Sequence, residues 1–458
     1  MRRDHDAEGI RSPFSGSSCD REPEVGPDMS AAKRGPSGVD AEPLDALDTQ
    51  RRHEILDAAS SVFATSGLRT TLQEIAEASG IQPGSLYHHF ESKEAIIVEL
   101  VKRYHVDLDR QAEIALKELR ESDPGDIVDR ITSFSTAIAQ CAVRHSAAVQ
   151  FSFYDPPLSA GHELVRLAAR APTATEKAML KTLEAGHSAG LLRDDIELQM
   201  LSHRLTQTML HVGLGLYHRY RSVDRVAEHL CDMVLYGVAT RAPRDSQLDG
   251  SKAMQAVEKV MLSWDPSPVS ESDRSALIRA VARTEFGRRG YEATTVRDIA
   301  GAAHMSTGSV YREIGSKEEL LVSIMRSFSE KVVAGWDAAF NSSATSVQRL
   351  DAVAWLQINV LEQFHDEFKI QLAWLRQSPP DTPDMAWSFP SLLQRLKAML
   401  KDGARAGELK IDGPSTELTA RSIVDLTWVP EGILRSYGKR TALLHVRDTM
   451  LRGAAKRS

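Results

Sequence analysis

The sequence is poor in cysteine, in long apolar runs and in excess positive charge, and each shortage excludes something. Its three cysteines, Cys19, Cys141 and Cys231, stand far apart and form no C-x-x-C pair. A disulfide framework or a zinc site is therefore not expected, and a reducing compartment is. No apolar stretch approaches bilayer-spanning length, and the charged, polar N-terminus lacks the apolar core of a signal peptide. The expected location is cytoplasmic, with no membrane partner. Formal net charge is −7, which rules out a basic coat for nucleic acid but not a single DNA-binding face. Catalytic signatures are missing too: there is no H-E-x-x-H, no G-x-S-x-G and no phosphate loop. No catalytic residue, metal ligand set or cofactor is assigned, and an enzyme is not expected.

Hydrophobic content of 42% over 458 residues gives room for two or three globular domains. Residues 1–46, rich in Gly, Ser, Pro, Asp and Arg, read as a disordered tail. Beyond them the patterning is helical with few strand signals. Ile55, Ala59, Val62 and Phe63 share a face before Gly67, and Ile278, Ala282 and Phe286 repeat it before Gly290.

The second half echoes the first. Thr70 to Ile96, TTLQEIAEASGIQPGSLYHHFESKEAI, matches Thr294 to Leu320, TTVRDIAGAAHMSTGSVYREIGSKEEL. The match pairs Ile75 with Ile299, Gly84 with Gly308, Tyr87 with Tyr311 and Lys93 with Lys317. Thr71 with Glu74, and Thr295 with Asp298, form capping pairs at a helix start. Pro83, or Ser306 as N-cap, opens a short following helix. Leu86 anchors that helix to the core, so Ser85, Tyr87 and His88 point outward, a surface that fits a DNA major groove. Ser92 and Ser316 cap a fourth helix. They leave Lys93 and Lys317 in its first turn, where a cation opposes the helix dipole and makes more sense beside a phosphate. Neither block is strongly basic: Asp273 to Leu320 carries eight Lys/Arg against seven Asp/Glu, and Arg51 to Tyr104 six against seven. Phosphate contact must rest on a few placed groups.

These residues resemble the TetR family of bacterial one-component regulators. The shared pattern is T-x-x-x-I-A, then G-x-x-Y-x-x-F-x-S-K-E. The first copy fits throughout, from Thr71 to Glu94; in the second, Ile314 replaces the aromatic and Gly315 follows, which loosens the corner before the fourth helix. The resemblance implies an all-α fold of two tandem units, each a three-helix helix-turn-helix head on a helical effector-binding and dimerising body. It implies heads at 47–104 and 272–328 and bodies at 105–243 and 329–458; between them the turn-rich ends APRDSQLDGS and DPSPVSES read as a linker at 244–271, whose Ala253–Trp264 piece has the spacing of a short helix. It implies DNA contact by Thr71, Tyr87, His88 and Lys93, and by Thr295, Thr307, Tyr311, Arg312 and Lys317, with Gln82 and Ser85 as groove-facing neighbours. Arg312, whose fork matches a guanine edge, is the leading base reader.

Duplication extends into the bodies. EAGHSAGLLRDDIE (Glu184 to Glu197) resembles KDGARAGELKIDGP (Lys401 to Pro414), and LYGVATR (Leu235 to Arg241) resembles LRGAAKR (Leu451 to Arg457). The last two helices of each half are the expected dimerising elements, so one chain pairs its own halves or two chains form a homodimer. All six tryptophans lie in the second half. Trp355 and Trp374 there, and Phe151 and Tyr154 in the first half, are candidates for an effector pocket, with core packing the weightier reading. His211 and His218 read as surface or interface histidines rather than metal ligands. The expected function is a DNA-binding regulator, a repressor by the family's usual sign, binding a (pseudo)palindromic double-stranded operator and released by an unidentified small-molecule effector. The alternative is an effector-sensing or protein-interaction module with one head competent for DNA.

Overall fold

In a computed structural model, helix follows helix from α1 (Leu44–Ser66) onward. The described residues are 44–66, 70–152, 160–214, 222–241, 243–264, 273–376, 389–411 and 415–456, with side chains from 49 on and without those of 372–376 and 389. The expected tail falls outside them up to residue 43. The first half comprises α1, α2 (Leu72–Ala78), α3 (Pro83–His89), α4 (Lys93–Arg120), α5 (Ile127–Arg144), α6 (Ser146–Phe151), α7 (His162–Ala168), α8 (Thr173–Ser188), α9 (Leu198–Val212) and α10 (Val223–Tyr236). In each head, apolar residues one and two turns apart meet in a small core: Ile55, Ala59 and Phe63 with Ile75, Leu86 and Phe90 in the first, Ile278, Ala282 and Phe286 with Ile299 and Val310 in the second. Long helices carry each head into its body, α4 in the first half and α16 (Lys317–Phe340) in the second.

Of the expected linker at 244–271, the structure describes the part up to Trp264. It folds into α11 (Asp245–Asp249), α12 (Lys252–Met261) and a 3₁₀ turn (Leu262–Trp264). Ser251 caps α12 by accepting from the Met254 amide at 3.1 Å. Ala253, Met254, Val257 and Trp264 are buried, packed with α16 and α17 (Ser346–Gln363). Burying Met254 and Val257 stabilises by roughly 2 kcal/mol each. This stretch is core of the second half, which continues through α13 (Arg274–Arg289), α14 (Val296–Ala302), α15 (Thr307–Ile314), α18 (His365–Arg376), α19 (Phe389–Arg405), α20 (Thr416–Leu426) and α21 (Glu431–Val446). α21 breaks at Gly438 and runs into a π-helical turn, Arg447–Arg452.

The two halves join reciprocally. Leu192 bridges Ala455, and Ala239 bridges Leu409. The aligned segments make these two bridges the same contact made twice. The backbone bonds repeat in step: Arg193 N to Ala454 O at 2.9 Å and Lys456 N to Leu191 O at 2.8 Å, against Lys410 N to Val238 O at 2.8 Å and Thr240 N to Glu408 O at 2.9 Å. Each half's closing segment thus pairs with the other half's glycine turn. At the crossing, Gly237 and Gly453 have φ of +67° and +86°. A Cβ on Gly453 would lie 2.4 Å from the Tyr236 carbonyl carbon, so only glycine fits. Further along, His211 of α9 stacks on Trp428 at 3.6 Å, and these positions also match between halves. Reciprocal contacts of this kind relate the two halves of the chain by a local two-fold axis.

One contact has no copy. Arg447, fully buried, donates through Nε and Nη2 to both oxygens of buried Asp351 at 2.8 Å. It also donates to Asp249 at 2.7 Å and to Asp245 at 3.2 Å, both on α11. Counting back from the aligned glycines, its counterpart is Cys231, whose thiol lies 4.0 Å from Ser135. Removing one partner of a buried pair leaves an uncompensated charge. Arg447→Ala is expected to cost about 3–5 kcal/mol in denaturant unfolding, with Arg447→Met plus Asp351→Leu recovering most of it. A loss below about 1 kcal/mol in the single variant refutes the pinning role.

Candidate nucleic-acid interface

Each head presents one short helix to solvent. α3 is anchored by buried Leu86 and α15 by buried Val310, so the rest of each helix faces out. Tyr87 is 57% and Tyr311 49% exposed, far above what core packing of a tyrosine leaves. Gln82, Ser85 and His88 are exposed beside Tyr87, and Arg312 beside Tyr311, with Thr307 half-buried. The Arg312 guanidinium lies back along its own helix, Nη2 at 3.2 Å from Ser309 Oγ and Nε at 3.4 Å from Gly308 O. Only local hydrogen bonds hold it there, so a change of rotamer frees it for a base edge.

The remaining expected contacts, exposed Thr71 and Thr295 and half-buried Lys93 and Lys317, also make bonds within the heads. Thr71 and Thr295 complete capping boxes: each hydroxyl accepts from a backbone N–H at 3.2 Å, from Glu74 and Asp298. Each also donates to that residue's carboxylate, at 2.9 and 2.6 Å. The Thr71 amide, donating to the Glu74 carboxylate at 2.6 Å, and then the Thr71 hydroxyl hold the Glu74 carboxyl below its ordinary range. Lys93 Nζ donates to Thr70 O at 2.9 Å. Lys317 Nζ donates to Tyr291 O and Thr294 O, both at 2.7 Å, and lies 4.2 Å from the Tyr291 ring centre. The lysine expected to make more sense beside a phosphate also has carbonyl oxygens as partners. They offset its clash with the helix dipole and tie α4 or α16 to the start of α2 or α14.

The heads differ at two corners. Phe90 is buried, with the Arg52 guanidinium 4.4 Å from its ring centre. Ile314 is only half-buried and is followed by Gly315 at φ +71°, the looser corner the sequence predicts. At the end of α14, His304 takes φ +54° where the first head has Gly80 at +65°.

Of the proposed effector residues, the side chains of Phe151 and Trp355 are described. Phe151 packs edge-on against Phe63 at 5.0 Å, and Trp355 is half-buried against the core. Both pack against the core, as the weightier sequence reading has it. Tyr154, the Trp374 side chain and His218 lie outside the described residues. The structure instead has a cleft of about 710 Å³ between the halves. His203, Gln207 and His211 line it from the first half; His365, Phe368, Lys369, Trp428, Glu431 and Arg435 line it from the second. His203 Nδ1 sits 2.8 Å from Glu176, and burial pushes the His365 imidazole down. Apart from His211, read from sequence as a surface or interface histidine, no sequence signal marked these residues, because the cleft exists only where the halves meet. α18, which supplies His365, also braces the second head. Thr284 Oγ1 donates to Asp366 at 3.2 Å, and Gly287 approaches so closely that a Cβ there would sit 2.7 Å from Asp366 Cβ.

Among the described residues one other group clusters. Asp107, Cys141 and His145 lie within 4.8 Å of one another. Asp107 already pairs with Arg144 and accepts from Gln111 at 3.0 Å, so this is an internal ion-pair network. Burial, chiefly, pushes the Cys141 thiol up to about 12. No described helix is long and apolar enough to cross a membrane.

The family model for bacterial regulatory proteins of the tetR family matches residues 55–100 and 278–324, one match in each head. The repressor KstR2 of Rhodococcus jostii is 33% identical over 196 residues, covering 42% of this chain and 92% of the relative. KstR2 of Mycobacterium tuberculosis is 29% identical over 174 residues, covering 37% and 86%. A solved structure of the ketosteroid regulator KstR2 of M. tuberculosis aligns with 41% of this chain and 98% of its own, at 24% identity and a TM-score of 0.34. The chain belongs to the TetR family, with the family's DNA-binding unit present twice, and it is a DNA-binding transcriptional regulator.

Two substitutions test the head geometry. His304→Gly relieves a left-handed residue and is expected to raise stability by about 1 kcal/mol. Lys317→Ala strands two carbonyls and is expected to cost about 1–3 kcal/mol. Calorimetry of the full chain reads both, and a neutral Lys317→Ala sinks the bracing role.

Proposed function

We propose that one chain is a complete operator-binding unit: a ligand-responsive repressor whose α3 and α15 enter successive major grooves of double-stranded DNA. The reciprocal seam carries this reading, since it occupies inside one chain the surfaces through which two chains would otherwise pair. Ser85, Tyr87 and His88, with Gln82, serve the first groove; Thr307, Tyr311 and Arg312 serve the second. The tyrosines position the heads on phosphate and the unlike residues read bases. Thr71, Thr295, Lys93 and Lys317 act as the braces that hold α2 and α14 behind the readers. Mass measurement of full-length protein on operator DNA is expected to give one chain per site, with affinity falling steeply as salt rises. Tyr87→Ala and Tyr311→Ala are each expected to weaken binding about ten-fold or more. Two chains per minimal site, or salt-insensitive binding, overturns the reading.

The effector seat we propose is the cleft between the halves. Its wall joins the Trp428 and Phe368 rings to Lys369, Arg435 and three imidazoles, which suits a flat or apolar acid. Ligand contact with His365 bears on α18, and Asp366 passes the change to α13 of the second head. Such a ligand is expected to quench Trp428 fluorescence and to lower DNA affinity, and Asp366→Ala to keep the quenching while weakening the release. Quenching that survives Lys369→Ala combined with Arg435→Ala undiminished refutes this seat.

A further inference from the structure

We infer that the operator consists of two unlike half-sites in a fixed order, one bearing adenine under α3 and the other bearing guanine under α15. This rests on the DNA-reading assignment of the two heads. A regulator made of two identical chains offers the same reader twice and selects a palindrome. Here the seam joins one reader of each kind, and the local two-fold axis sets them in inverted orientation.

The matched positions fall into two groups. Ser85 and Ser309, and Tyr87 and Tyr311, are the same residue in both heads, as are Gly84 and Gly308. These are the groups suited to phosphate contact, which positions a head without reading sequence. The others differ. Gln82 opens α3 with no side-chain cap bond, so its exposed amide is available for the paired donor and acceptor of an adenine. Its counterpart Ser306 caps α15, accepting from Ser309 N at 3.1 Å, and its hydroxyl lies 2.8 Å from Ser309 Oγ. That hydroxyl is therefore engaged. Six residues on, exposed His88 is matched by its exposed counterpart Arg312, whose fork fits the two acceptors of guanine. The half-buried His89 is matched by exposed Glu313, which adds a carboxylate to the second reader and none to the first. A true palindrome places one head on the wrong sequence, and a lost bidentate contact lowers affinity about ten-fold or more.

The test is selection of full-length protein on random duplexes, footprinting of the selected sites, and titration of duplexes carrying either half-site twice. The expected result is two protected, inverted and unlike half-sites, with both doubled duplexes bound about ten-fold or more weakly. The exposed pair Gln82→Ser and His88→Arg, made together, is expected to shift preference to the duplex with the guanine-bearing half-site twice. Helix content by circular dichroism confirms that this variant folds. Selection of two identical half-sites, protection of one half-site alone, or an unshifted preference in the folded variant overturns the inference while leaving DNA binding intact. Absence of salt-sensitive affinity for any duplex instead overturns the assignment of the heads as DNA readers.

Discussion

The main-chain pairing across Gly237 and Gly453 is the constraint on which the rest of the architecture depends. Eight backbone bonds, four from each side, knot the closing segment of one half to the glycine turn and closing segment of the other. Backbone groups do the pairing, so the seam asks little of side chains except that two of them be absent. It tolerates divergence elsewhere, and that is what the two halves display. A buried ion pair stands in one half where a thiol and a hydroxyl stand in the other. An arginine, Arg204, is buried at the seam and donates to the Leu426 carbonyl; burial pushes its guanidinium down to about 10 while Asp425 favours its charge.

That divergence gives the halves different mechanical roles. The stretch between them is built into the second half through α12 and through α11, whose aspartates reach Arg447, Arg440 and Arg452. The second head rests on α18, against a helix that also walls the cleft. The first head is held differently, by the Glu94 carboxylate accepting from the Gly161 amide at 2.8 Å and by Phe63 on Phe151. A shift of α18 therefore reaches one head directly and the other only through the seam.

Much of this was legible in the sequence, for physical reasons. Thr71 with Glu74, Ser306 and Ser316 announce helix starts because capping is local chemistry, and the all-α fold follows from the apolar spacing. The exposed faces of α3 and α15 were readable once Leu86 was taken as the anchor. The paired glycine turns gave away the duplication of the bodies, and the looser corner at Ile314 followed from the loss of an aromatic. What failed depends on distant contact. The stretch at 244–271 looks like a linker because its ends are turn-rich, and nothing local tells that Met254 and Trp264 have a core to enter. The carbonyl partners of Lys93 and Lys317 had no local signal, because they lie 23 residues away in sequence. Trp355 could not be told from a pocket residue by spacing, since a buried aromatic and a ligand-facing one share the same periodicity.

The covalent join at the seam also changes how the molecule responds to scarcity. An ordinary two-chain regulator separates into halves when it becomes dilute, and its hold on DNA then fails faster than its numbers fall. Here each half keeps its mate at a local concentration set by the polypeptide and not by the cell. On the proposed reading of one chain per operator, occupancy of a site declines only in proportion to copy number, and control is graded and non-cooperative.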